Sequence, residues 1–332
     1  MPNPDKLKLV KDIPFKAIAF GIALQPKSQR AFIGCSDFKV YDLDFAAAKF
    51  EPKELYGHES YVTTVALSGN VLVSGGYDGK LIWWDTEAKK QIRSVEAHSK
   101  WIRKVVVSRD GKFFASVADD MFLRVWEVES GKKVLDVRGH EPITPHNFQS
   151  MLYTVIFSPD GKQIATADKT GHMVVWDSKT GSQLATMEAP IMYTWDPSQR
   201  RHSIGGPRSL AFSPDGKLLA VGGTGKIGNI DHLEAKTRIE VFEWQAKKQV
   251  NEFTGDKCQG IVNHLEFSPD GAWLLGAGGA GEGGFVFMDP KGKKIIRQDK
   301  VNMHVHHFAL NEAADTIYSV GHNKLAIHEM KG

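Results

Sequence analysis

The chain is poor in cysteine. Cys35 and Cys258 are the only two among 332 residues. They fall in the first and sixth of the repeated units described below, which are not neighbours. A disulfide between them is not expected, and a reducing compartment suits the usage. No run of 18 apolar residues occurs, so no membrane-spanning helix is expected. The opening MPNPDKLKLVKD has no apolar stretch of the length a secretory leader needs, and no Asn-x-Ser/Thr sequon is present. A cytoplasmic location is therefore the expectation. Charge of one sign is scarce as well: 42 Lys and Arg against 39 Asp and Glu leave a net +3. That balance sets up no broad field for nucleic acid, which is not expected as a partner. Catalytic signatures are also missing. There is no GxSxG, and neither cysteine stands in a recognisable nucleophile context. Gly222-Gly223-Thr224-Gly225-Lys226 carries part of the phosphate-loop pattern, but its spacing is incomplete and Ile227 follows the lysine. Neither an enzyme nor a cofactor is expected.

What the chain has is repetition. The clearest unit begins at Gly57-His58, passes Asp78-Gly79 and closes with Trp84-Asp85. The next runs from Ala97-His98 through Asp120 to Trp126-Glu127, and another from Gly139-His140 to Trp176-Asp177. Weaker closings are Tyr41-Asp42, Phe242-Glu243, Met288-Asp289 and His328-Glu329. Seven units give a period of about 47 residues, that of a radial β array. Within a unit, short alternating strands are separated by turns such as Ser158-Pro159-Asp160-Gly161, Ser213-Pro214-Asp215-Gly216 and Ser268-Pro269-Asp270-Gly271. Proline presets the turn and glycine accepts the left-handed position after it. A single unit cannot bury its apolar face alone, so residues 1–332 are read as one domain.

These units resemble the WD-repeat β-propeller family over essentially the whole chain, and the regular Ser-Pro-Asp-Gly turns look most like a bacterial-type member. The resemblance implies an all-β, seven-bladed propeller with four-stranded antiparallel blades. It also implies a hydrogen-bonded Trp, Ser/Thr, His and Asp chain inside a blade. Repeat two offers Trp84, Ser74, His58 and Asp78, and repeat three offers Trp126, Ser116, His98 and Asp120. Repeat four keeps Trp176, Thr166 and His140 but has Thr170 where the Asp should be, and the other repeats lack the set. These histidines are read as structural. The last repeat lacks its outer strand, and Lys6–Lys11 is an orphan strand. The expectation is that the N-terminal strand completes the last blade and closes the ring.

The inner strand steps by three between apolar positions in five units: Val62/Val65, Ile102/Val105, Leu152/Val155, Val262/Leu265 and Val305/Phe308. A bulge absorbs the extra residue and turns the intervening side chains toward the central channel. Arg103, Lys104, Tyr153, Arg208, His264 and His306 are candidate partner contacts on that basis. Three insertions, 141–150, 189–206 and 224–236, fall on the same face. The second carries Tyr193, Trp195 and Arg201, which join the candidate set. The resulting expectation is a scaffold that binds a protein or peptide, with acidic chemistry suited to the arginines. The alternative is a small-ligand or metal site built from His264, His304, His306 and His307 at the channel mouth, including the possibility of an enzyme. Lysine pairs at 89–90, 132–133, 247–248 and 293–294 lie in turns of the opposite face, interleaved with acids, and are read as solvated.

Overall fold

The computed structural model describes residues 2–231 and 235–331. Residues 232–234, inside the expected insertion 224–236, lie outside the described residues. The architecture is an all-β propeller of antiparallel four-stranded blades. Repeat two shows the plan: strands Val62–Ser68, Val71–Gly76, Lys80–Asp85 and Lys90–Glu96 pair in chain order. Repeats three to six form four further sheets of the same kind. The strand Lys133–Arg138, which precedes His140, pairs with Phe122–Glu127 and so completes the preceding sheet.

Seven blades were expected, whereas among the described residues there are six sheets of four or more strands. The sixth has six strands, in the order Val305–Leu310, Thr316–Glu329, Lys8–Leu24, Arg30–Cys35, Val40–Asp44 and Lys53–Leu55. The reason is the long strand Lys8–Leu24. Its first half pairs with the end of the chain, from Lys8 with Glu329 to Pro14 with Lys324. Its second half pairs with repeat one, from Ala19 with Cys35 to Leu24 with Ala31. The register of repeat one also moves its closing. Arg30 opposes Asp44 as Val71 opposes Asp85, so the closing pair is Leu43-Asp44, not Tyr41-Asp42.

The core lies between sheets. Val73, Leu81 and Trp83 of repeat two pack against Ile102, Phe114 and Trp126 of repeat three. Burying each such side chain contributes about 1.5–3 kcal/mol. Turns between strands follow one chemistry. In 158–163 the Ser158 hydroxyl donates to Asp160 at 2.7 Å and accepts the Gln163 N–H at 2.9 Å, while Gly161 takes φ +72°.

The three-residue step of the inner strands is a register shift. Phe20, Thr63, Arg103, Tyr153, Asn263 and His306 are each skipped in the ladder, one per unit. Arg208 stands at the same place in repeat five, just before the strand Ser209–Phe212.

Candidate functional site

The buried polar chains come first, because they hold the scaffold. In repeat two, Trp84 Nε1 donates to Ser74 at 2.8 Å, Ser74 meets His58 Nε2 at 2.7 Å, and His58 Nδ1 meets Asp78 at 2.9 Å. Repeat three repeats this with Trp126, Ser116, His98 and Asp120 at 3.0, 2.8 and 3.0 Å. Repeat four has a complete set too, but its carboxylate is Asp168 rather than a residue at position 170. His140 Nδ1 lies 2.9 Å from Asp168, Nε2 lies 2.8 Å from Thr166, and Trp176 donates to Thr166 at 2.8 Å. The Thr170 hydroxyl donates to Asp168 at 2.7 Å instead. Burial alone would raise the Asp168 carboxyl. The bonds from His140 and Thr170 outweigh it and hold the group below its usual range.

Three positions per unit face one mouth of the channel. The first is the bulge residue. The second immediately precedes the inner strand, and the third precedes the next hairpin turn. The last two are tied by a backbone bond: Tyr77 N–H to Tyr61, Asp119 to Trp101, Lys169 to Met151 and His322 to His304, at 2.9–3.1 Å. Because the scaffold repeats, these side chains meet across units. Phe20 lies 5.8 Å from Tyr61, Tyr61 lies 5.7 Å from Tyr77, and Tyr77 stacks on Trp101 at 4.2 Å and 7°. Phe38 joins at 5.8 Å from Tyr61. Phe38, Tyr61 and Trp101 are each more than 40% exposed despite their size.

This aromatic belt runs into a cationic cluster. The Arg103 guanidinium lies 5.3–5.4 Å from the rings of Tyr77, Trp101 and Tyr153. Its Nε and Nη2 donate to the two oxygens of Asp119, both at 2.7 Å. Arg208 lies over Tyr153 at 3.5 Å. Sequence reasoning found Arg103, Tyr153 and Arg208, but missed Phe20, Phe38, Tyr61, Tyr77, Trp101, Asp119 and Lys169. Their recurring place beside the turn and the inner strand was the available signal.

Other candidates separate from this mouth. Lys104 and His264 follow the bulge residues, so the strand alternation turns them into the channel interior. There they line a void of about 600 Å³ with His307 and Glu266. His264 stacks on His307 at 3.7 Å. His306 packs instead with Phe20, His304 and His322, the last two at 4.6 and 4.9 Å. The histidines expected to form one metal set are therefore split in two. Among the described residues, no three His, Cys, Asp or Glu side chains are placed to hold a metal ion.

The insertions interlock. Residues Tyr193–Asp196 and His202–Gly205 pair as a two-stranded hairpin. Tyr193 is buried and its hydroxyl bonds Thr144 of the first insertion at 3.0 Å, a packing role rather than an open contact. Trp195 stacks on His146 at 3.5 Å and keeps 42% of its surface exposed. Ile227 N–H reaches Thr194 at 3.1 Å, which ties in the third insertion. Arg201 is exposed in the hairpin turn, with φ +49°. At the hairpin's end Gly206 takes φ +89°, and a Cβ there would stand 2.5 Å from the Lys169 carbonyl oxygen. Glycine thus lets this segment close onto repeat four and places Arg208 beside it.

On the turns of the opposite side, Lys89, Lys247 and Lys293 take φ +53° to +56°. Gly131 and Gly181 hold the corresponding turns of repeats three and four at +69° and +74°. These lysines therefore mark a turn position.

Among the described residues, no helix is long and apolar enough to cross a membrane. Residues 51–85, 89–127, 131–177, 198–227 and 247–286, more than half of the chain, match the family model described as WD domain, G-beta repeat. Telomerase protein component 1 of Rattus norvegicus is 23% identical over 276 residues, covering 82% of this chain and 9% of that protein. Nuclear distribution protein PAC1-2 of Uncinocarpus reesii is 28% identical over 193 residues, covering 54% and 38%. Pre-mRNA-processing factor 17 of Homo sapiens is 22% identical over 289 residues, covering 74% and 46%. The chain spans less than half the length of each of these relatives. All three are eukaryotic, and the expected bacterial-type membership finds no support among them.

Proposed function

The chain belongs to the WD-repeat family, and from that premise we propose that it is a non-catalytic platform binding a protein or peptide partner across one channel mouth. The observation that carries this reading is the belt of Phe38, Tyr61, Tyr77 and Trp101, with Phe38, Tyr61 and Trp101 exposed, leading into Arg103. Aromatic and arginine side chains supply large contact area at protein interfaces and dominate their energetics. The belt needs a rigid base, and the satisfied polar chains of repeats two to four supply one. The names of the relatives, a protein component and a processing factor among them, suit a role in assemblies. Residues 1–332 are proposed to act as one domain, in the cytoplasm.

The same reading includes seven blades in a closed ring. Two features support it. The strand Lys8–Leu24 changes partner midway, which divides the six-stranded sheet into two four-stranded halves when each long strand is counted at its change of partner. An apolar cluster of Ile33, Tyr41, Val320 and Ile327 fills the space between those halves, as other clusters fill the space between sheets.

The test is capture of partners from native lysate by the wild-type protein and by a Tyr61→Ala/Trp101→Ala variant with an unchanged Tm. A Lys90→Ala/Lys248→Ala variant beside the opposite turns is the control. Partners lost only with the belt variant support the reading. Partners retained by it place the working surface elsewhere.

A further inference from the structure

Three cations converge at the end of the belt, and among the described residues a single carboxylate, Asp119, pairs with one of them. Arg103 uses its Nε–Nη2 edge on Asp119. Arg208 donates through Nη1 to the carbonyls of Gly205 at 2.8 Å, Gly206 at 3.2 Å and Pro207 at 3.4 Å. Its Nε–Nη2 edge meets no carboxylate among the described residues, although the Tyr153 hydroxyl lies nearby. Lys169 is 7% exposed, and its ammonium has one acceptor, the Gln149 carbonyl at 3.5 Å. It too lacks a carboxylate partner among the described residues. The charges of Arg208 and Arg103 press on it, and burial with this repulsion lowers it to about 8.

A buried charge without a counter-ion is destabilising. The carbonyls of 205–207 and the face of Tyr153 hold Arg208 in one orientation. Its remaining edge is planar with two parallel donors, the shape that receives two oxygens of one carboxylate. Arg103 and Asp119, two units away, display that pairing inside the protein.

We propose that the mouth between repeats three and five takes a carboxylate side chain of an acidic peptide segment, held by the free edge of Arg208 and by Lys169, with Trp101 and Tyr77 flanking it. This rests on the platform reading and adds the chemistry of the partner. Fluorescence anisotropy would compare a labelled Glu-rich dodecapeptide with its Gln counterpart and its phosphoserine counterpart, on wild type, Lys169→Met and Arg208→Gln. The expected result is at least tenfold tighter binding of the Glu peptide than of the Gln peptide, reduced to less than threefold in either variant. Lys169→Met should also match or exceed the wild-type Tm, since it removes an unpaired buried charge. Equal binding of Glu and Gln peptides, no binding of the Glu peptide at 1 mM, or a marked fall in Tm for Lys169→Met would overturn the proposal. Tenfold preference for the phosphoserine peptide would overturn the carboxylate assignment. If lysate partners still depend on Tyr61 and Trp101 while acidic discrimination is absent, the platform stands and this site falls.

Discussion

Asp168 and Thr170 show how one side chain can replace another from a different place in the chain. Both repeat two and repeat three set the carboxylate six residues before the Trp, at Asp78 and Asp120. Repeat four sets it eight before, at the end of strand Gln163–Asp168. Asp168 is the last residue of its strand and position 170 lies in the turn after it, so the carboxylate reaches His140 from the strand end instead. A fixed spacing could not reveal this, because only the fold shows which face each residue takes. Asp168→Ala is expected to leave His140 Nδ1 buried without a partner and to cost about 1–3 kcal/mol. Thr170→Ala loses one bond to an already satisfied carboxylate and should cost about 1 kcal/mol or less. Urea unfolding of the two variants checks the order, and a larger loss for Thr170→Ala would contradict it.

The histidines at the ends of the last repeat give a pH dependence. Burial, reinforced by neighbouring imidazoles, lowers His304 to about 4 and His306 to about 3. Burial lowers His328 to about 4. Their folded values lie below the unfolded value of about 6.5. The unfolded chain therefore takes up protons that the folded chain refuses. Their stabilising effect is fully present above about pH 6.5 and declines as pH falls toward 4. Tm should drop across that window. His306→Phe keeps an aromatic ring against His304 and should flatten the drop, and an unchanged slope would count against this assignment.

At the scale of elements, the inner-strand bulge was readable from spacing, because a step of three between apolar residues cannot fit a period of two. That step pointed to one row of the mouth. The other two rows come from positions beside turns and strand starts, whose direction depends on pairing between strands. Large residues there, such as Trp101 and Tyr77, are indistinguishable in sequence from core aromatics such as Trp83. The insertions were legible as extra length, but their mutual contact was not. Tyr193 looked available for a partner, whereas Thr144 takes its hydroxyl. Tyr193→Phe should loosen the hairpin 193–205 from the first insertion, at a cost of about 1 kcal/mol. Limited proteolysis in the exposed turn near Arg201 should quicken several-fold while overall Tm falls little. Unchanged cleavage would show that the Trp195–His146 stack holds the hairpin alone.

For the molecule as a whole, the repeat announced the fold class, because units of this length with regular turns have few other ways to bury their faces. The number of separate sheets was misread, since a strand of 17 residues can serve two partners and no local pattern marks where it changes. Deleting residues 2–14 strips the partner from the strand ending at Glu329 and exposes a sheet edge. The truncated chain is expected to melt several degrees lower and to aggregate on heating, as read by calorimetry and light scattering. An unchanged melting curve would speak against a closed ring.

Lys8 opposes Glu329 in an antiparallel ladder, so both ends of the described chain leave from the same end of that ladder. A stretching force applied between the termini would load its hydrogen bonds one after another, as a zipper opens, instead of all together in shear. Mechanical resistance would then be set by single bonds near Lys8, whatever the heat stability of the whole. A tether attached at the two ends would register a soft first event, the peeling of residues 8–14, before any blade core yields.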